Sequence, residues 1–124
     1  MNNAGYLEIK IDQGSDFSIP FQVLDERNTP VSIAGATITG QIRTTPQAAN
    51  PAIATFTGAI VDGPNGEGQL SLTAAETSAI PVDNSSPGER AITTYVWDCE
   101  ILFADGSKQR ILEGPAYISP EVTK

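Results

Sequence analysis

The stretch Tyr95-Val96-Trp97-Asp98-Cys99-Glu100-Ile101-Leu102-Phe103 decides the fold class. Tyr95, Trp97, Cys99, Ile101 and Phe103 fall at alternate positions, and Asp98 and Glu100 lie on the opposite face, between Val96 and Leu102. A period of two sends one set of side chains into a core and the other toward water, which is the mark of a half-buried β-strand. Asp105-Gly106 then separates Phe103 from the apolar pair Ile111-Leu112. Asp and Gly tolerate the positive φ of a tight turn, so the two runs are expected to form a hairpin.

The same period recurs outward from this hairpin. Leu7, Ile9 and Ile11 alternate with Glu8 and Lys10, and Phe17, Ile19, Phe21 and Val23 alternate with Ser18, Pro20, Gln22 and Leu24. Ile38 and Ile42 flank Gly40, with Thr37, Thr39 and Gln41 facing the other way, and Leu70 and Leu72 follow the turn Gly63-Pro64-Asn65-Gly66. Asp25-Glu26-Arg27-Asn28-Thr29-Pro30 forms another polar turn. Turns at this spacing predict an all-β antiparallel sandwich or barrel. One segment reads as helix: Thr73-Ala74-Ala75-Glu76 has the pattern of a capping box, and Pro81 disfavours helical geometry at Ile80, giving one short helix near 74–80. Val82 to Thr93 is polar and contains Pro and Gly, and is expected to be an exposed loop.

Composition narrows the chemistry. The chain has 124 residues, the size of one domain, with seven Lys and Arg against fifteen Asp and Glu, a net charge of −8 and no histidine. Without imidazole there is no Ser-His-Asp triad, no Cys-His dyad and no histidine-ligated zinc. A single cysteine, Cys99, excludes an internal disulfide framework. Negative charge repels phosphate backbones, so nucleic acid is not an expected partner. No apolar run approaches a membrane span, and the N-terminus lacks the basic and apolar regions of a leader peptide, so neither a membrane nor secretion is expected.

Carboxylates are the remaining route to catalysis, since paired acids hydrolyse glycosides without histidine. Asp98, Glu100 and, across the hairpin, Glu113 are the candidates. The plainer reading makes them the wet face of an edge hairpin, with Lys108 and Arg110 as cross-strand partners. Asp12-Gln13-Gly14-Ser15-Asp16 has two acids around a glycine but lacks the further ligands of a calcium loop, and is expected to be a turn. Gly63 to Gly68 lacks the Lys and Ser/Thr of a phosphate loop. Trp97 is expected in the core, where Cys99 is a small buried hydrophobe without an activating base. Asn84-Ser85-Ser86 matches a glycosylation acceptor, which carries weight only in a secreted chain. No catalytic, cofactor-binding or metal-binding residue is therefore assigned.

Taken in order, several short motifs form a succession. They are Ile11-x-x-Gly14-x-Asp16-Phe17, Asp25 to Pro30-Val31-Ser32-Ile33-x-Gly35, and Ile38-x-x-x-Ile42-Arg43. Gly68-x-Leu70-x-Leu72-Thr73 with Glu76-Thr77, and Tyr95-x-Trp97-Asp98-x-Glu100, come next. Asp105-Gly106, Arg110-Ile111-Leu112-Glu113-Gly114 and Ile118-Ser119-Pro120-Glu121-Val122-Thr123 complete it. From about Leu7 to Thr123 this resembles small virion structural proteins of tailed bacteriophages and is similar to the N-terminal domain of phage baseplate upper proteins. The resemblance implies an immunoglobulin-like β-sandwich that serves as a non-catalytic assembly module on the particle, made in the host cytoplasm. Asn28 stands where that pattern usually has glycine, a mild change because Asn tolerates left-handed geometry.

The expected organisation is a flexible N-terminal arm over 1–6 and a single sandwich domain over 7–124. The leading expectation is a capsid decoration or cement protein, and the second a tail or baseplate adaptor for fibres. Partners are then the major capsid protein or tail and baseplate proteins, with a homo-oligomer possible. A carbohydrate-binding module using Tyr6, Tyr117 or Trp97, and a glycosidase built on Asp98, Glu100 and Glu113, are the readings from other classes. The arm and the loop between Val82 and Thr93 nominate Asn2, Asn3, Tyr6, Asn84 and Arg90 as partner contacts.

Overall fold

Alternating side chains become alternating burial. In the computed structural model, which describes residues 5–44, 52–82 and 93–120, Tyr95, Trp97, Cys99 and Ile101 are buried while their even-numbered neighbours are half-buried or exposed. Strand β8 (Thr93–Leu102) forms a hairpin with β9 (Lys108–Ser119), turning through Phe103 to Ser107. Asp105 Oδ1 accepts from the Ser107 amide at 2.8 Å and its hydroxyl at 2.6 Å, and Gly106 takes φ 93°, as the Asp-Gly pair predicts.

Before the hairpin come β1 (Gly5–Tyr6), β2 (Ile9–Asp12), β3 (Phe17–Gln22), β4 (Thr37–Arg43), β5 (Ala54–Thr55), β6 (Thr57–Asp62), β7 (Glu67–Leu72) and helix α1 (Ala74–Ser78). One sheet runs β1-β9-β8-β4-β5, with β2 also on β9, and the other runs β3-β7-β6. This is an immunoglobulin-like sandwich: a front sheet carrying the long central hairpin faces a back sheet of three strands. Its pairs are antiparallel except that β1 and β2 run parallel to β9. The carboxylate hairpin is therefore central, not at an edge, because β4 flanks β8 and β1–β2 flanks β9.

Between the sheets lie Ile9, Ile11, Ile19, Ile33, Ile38, Ile42, Phe56, Leu70, Leu72, Trp97, Ile101 and Ile118. Each fully buried aliphatic side chain contributes about 1.5–3 kcal/mol relative to exposure, so this layer is the main source of stability. Phe56 packs between Phe17 and Trp97, with ring centroids 6.3 and 6.1 Å away. Chain 54–62 brings it there by switching sheets. β5 pairs with β4, the Phe56 N–H reaches the Gly40 carbonyl at 2.9 Å, and β6 then joins β7.

The first strand departs from simple alternation. The register Tyr6↔Glu113 and Ile9↔Ala116 continues one parallel pairing, but it is interrupted at Leu7–Glu8, opposite Gly114 and Pro115. In a parallel ladder the Leu7 N–H faces the Glu113 carbonyl, which it reaches at 2.9 Å, and its carbonyl faces the N–H of residue 115. Residue 115 is proline and has none. The indole Nε1 of Trp97 donates to the Leu7 carbonyl instead, at 2.9 Å. Gly114 leaves the room for this, since a Cβ there would overlap the Leu7 oxygen. Leu7 itself is 38% exposed, unlike Ile9 and Ile11.

Gly5 and Tyr6, placed by the sequence in a flexible arm, are thus paired with Leu112 and Glu113, and the rest of the arm, residues 1–4, lies outside the described residues. Helix α1 is as expected but ends at Ser78. Thr73 Oγ1 accepts from the Glu76 amide, and Glu76 Oε1 accepts from the Thr73 amide at 2.8 Å. Asn28 has φ 62°, the left-handed geometry it was expected to tolerate.

Candidate functional site

The outward face of the front sheet gathers the candidate carboxylates. A bulge between Cys99 and Glu100 sets Asp98 opposite Glu113 and Glu100 opposite Arg110. Arg110 lies between two acids: Nε is 3.4 Å from Asp98 Oδ2 and Nη1 is 3.2 Å from Glu113 Oε1. Lys108 Nζ lies 3.4 Å from Glu100 Oε1. On the neighbouring strand, opposite Asp98, Gln41 Oε1 accepts from Arg43 Nη2 at 2.7 Å. The sequence therefore named the partners of these acids, Lys108 and Arg110, and missed Arg43.

Burial pushes the Asp98 carboxyl above the usual aspartate range, and Glu100 adds to this, while Arg110 and Arg43 oppose it. A raised carboxyl beside a second acid is one ingredient of acid catalysis. Here the second acid, Glu113, is exposed and shares its cation with Asp98, on an open sheet face. What the arrangement does chemically is hold β8 and β9 together through cross-strand ion pairs, each contributing at most about 1 kcal/mol at such exposure.

Trp97 is 2% exposed and faces the core, so its ring offers no stacking surface to a sugar. Cys99 is fully buried, and burial, reinforced by Asp98 and Glu100, pushes its thiol up to about 12. Tyr6 is 71% exposed beside the charged face, paired in register with Glu113. Tyr117 is half-buried, and its hydroxyl lies 3.5 Å from Glu8 Oε1. Partial burial, together with Glu8 and Tyr6, raises its phenol. Of the nominated contacts Tyr6 is thus on the surface, while Asn2, Asn3, Asn84 and Arg90 lie outside the described residues, as does the Asn84 acceptor motif.

The Asp12–Asp16 segment is a turn, and its polar groups serve the fold. Asp16 Oδ1 accepts from the Ala74 amide at 2.8 Å, at the start of α1. Thr77 Oγ1 accepts from the Gly14 amide at 2.9 Å and lies 2.9 Å from the Ser15 carbonyl it donates to. Gln13 Nε2 reaches the Ile80 carbonyl at 3.0 Å. Sequence reasoning saw the capping box but not this docking of helix onto turn, whose signal was the buried-side polar residue Thr77. Among the described residues no group of three acids or thiols is placed to hold a metal ion.

The strand order and the ion-paired sheet face define the class: an immunoglobulin-like sandwich with its charged hairpin at the centre of one sheet. No family model matches the chain, and no curated protein does. Among solved structures it is similar to Tim-1, at 11% identity and a TM-score of 0.43, over 100% of this chain and 99% of that one. At that likeness the fold rests on the strand order of this chain itself, and no activity is carried over.

Proposed function

We propose that this chain is a structural protein of a tailed-bacteriophage particle, a β-sandwich assembly module on the exterior, and specifically a capsid decoration or cement subunit. The observation that supports this reading is where the motifs of the resemblance sit. Gly14 and Asp16 form the turn that receives α1, Ile33 and Ile42 are core residues, and Trp97 ties the first strand to the central hairpin. These residues of the resemblance are ones that help build the sandwich.

The carboxylate geometry also favours a binding module over a glycosidase, because Asp98 and Glu113 are both ion-paired to the same Arg110. A tail or baseplate adaptor is the second reading, favoured by the similarity to baseplate domains. The two differ in abundance: decoration subunits cover a capsid lattice in far more copies than a baseplate holds. Quantitative gels of purified particles test this. A band approaching the major capsid protein in molar amount supports decoration, and a scarce band transfers the chain to the tail. Cleavage of a host polysaccharide that Asp98→Asn or Glu113→Gln abolishes would overturn both.

A further inference from the structure

The turn Gly63-Pro64-Asn65-Gly66 joins β6 to β7, and Asn65 is the one asparagine of the chain that glycine follows. A glycine leaves the next backbone nitrogen free to approach the asparagine Cγ, because no Cβ stands beside it. Every other asparagine is followed by a residue whose side chain crowds that nitrogen or, at Asn50, by a proline without an N–H.

Asn65 is exposed at the tip of the hairpin, where its Nδ2 donates to Asp62 Oδ2 at 2.9 Å. The Gly66 N–H donates to the Gly63 carbonyl at 3.0 Å. Both bonds close within the turn itself, so a local opening of the tip releases the two groups while β6 and β7 stay paired. The same turn anchors the chain beside it. The Asn65 carbonyl accepts from Gln22 Nε2 at 3.0 Å, the Gly66 carbonyl from the Val23 N–H at 2.8 Å and the Gly63 carbonyl from the Ile33 N–H at 2.8 Å. Val23 and Ile33 are core residues. Gly66 has φ 72°, and a Cβ on it would press on the carbonyl oxygens of Val31 and Val23, so its backbone has little room to shift.

We propose that Asn65 is a site of spontaneous deamidation, and that its product loosens the hold of this turn on Val23 and Ile33. The Gly66 nitrogen, losing its proton, bonds to Asn65 Cγ. The Cγ–Nδ2 bond breaks, and the nitrogen leaves as ammonia with that proton. Water then adds to either carbonyl of the succinimide and breaks one ring C–N bond, giving aspartate or isoaspartate at position 65. Isoaspartate has one more carbon in the main chain, which Gly66 cannot absorb while its N–H and its carbonyl both stay bonded. Either product puts a carboxylate where an amide now donates to Asp62, and Glu67 lies opposite Asp62 in the register. The stretch between Arg43 and Arg90 has no lysine or arginine to offset it. The inference stands on the turn alone and is independent of the virion reading.

Peptide mapping of the purified full chain, kept folded in mildly alkaline buffer, tests it, with the chain in urea as the reference. The expected result is the amide-to-acid mass gain at Asn65, with isoaspartate in the product, at a slower rate than in urea. Asp62→Ala frees the Asn65 side chain and should speed the reaction of the folded chain about fivefold while leaving the rate in urea unchanged. In the converted fraction of the wild-type chain, amide exchange should be faster at Val23 and Ile33 and unchanged in β8. Asn65 intact in the folded chain after full conversion in urea, an equal effect of Asp62→Ala in both states, or unaltered exchange at Val23 and Ile33 overturns the inference.

Discussion

Trp97 Nε1 donates to the Leu7 carbonyl at 2.9 Å, reaching across β9 over Gly114 to the ladder position that Pro115 leaves without a donor. One indole thereby replaces a missing backbone bond and ties the first strand, the last strand and the core to each other. Trp97→Phe should cost about 2–3 kcal/mol, from an orphaned carbonyl and lost ring volume, read as a lower midpoint in urea. Pro115→Ala restores an N–H facing Leu7. In that background the penalty of Trp97→Phe should shrink by about 1 kcal/mol, a coupling that a double-mutant cycle measures.

Gly114→Ala should destabilise by about 1–3 kcal/mol, because its methyl group and the Leu7 oxygen claim the same space. The accompanying sign is faster amide exchange at Leu7, Ile9 and Ile11 with little change in the back sheet. Uniform loss of protection would contradict the local account.

Thr77 is fully buried and joins α1 to the Gly14–Ser15 turn. Thr77→Val keeps its shape and removes the hydroxyl, leaving the Gly14 amide without its acceptor and the Ser15 carbonyl without its donor. The expected loss is about 1–3 kcal/mol, larger than the loss of about 1 kcal/mol for Glu76→Ala at the exposed capping box. Thermal unfolding of the two variants ranks them.

Two aspartates should respond to pH with opposite sign. Asp98 is raised, chiefly by burial, so the folded protein keeps its proton over a range where the unfolded chain has released it. Its contribution to stability therefore falls as pH rises from the ordinary aspartate value through the raised one. Asp105 is lowered by its bonds to the Ser107 hydroxyl and amide, so its contribution is present above the ordinary value and is lost as pH falls through the lowered one. Carboxyl NMR titration should find Asp98 above and Asp105 below the usual range. Arg110→Gln should move Asp98 further up, and Ser107→Ala should return Asp105 toward normal.

Cys99, its thiol pushed up to about 12 inside the core, should resist alkylation at pH 8 in the native protein and react once per chain in denaturant. Rapid native labelling would mean that β8 opens locally.

Much of this architecture was legible because periodicity survives folding. The alternation of Tyr95 to Ile101, the Asp105-Gly106 turn and the Thr73–Glu76 box each depend on neighbours in sequence, and each appears where the pattern predicts. What escaped depends on residues far apart. Leu7 looks like a core position, yet the proline and glycine of β9 draw its carbonyl toward Trp97 and leave its side chain at the surface. Phe56 sits in an unpatterned stretch and becomes core only because chain 54–62 changes sheets. The cross-strand partners of Asp98 and Glu100 were visible from hairpin geometry, but Arg43 enters from β4, whose place beside β8 no local signal announces.

The most direct test of the virion reading is immunogold labelling of purified tailed-phage particles that carry this gene, with antibody raised against the chain. Gold spread over the head is the predicted result. Gold confined to the tail tip would move the protein to the baseplate, and intact particles without label, despite antibody that binds the free chain, would contradict an exterior role on the particle.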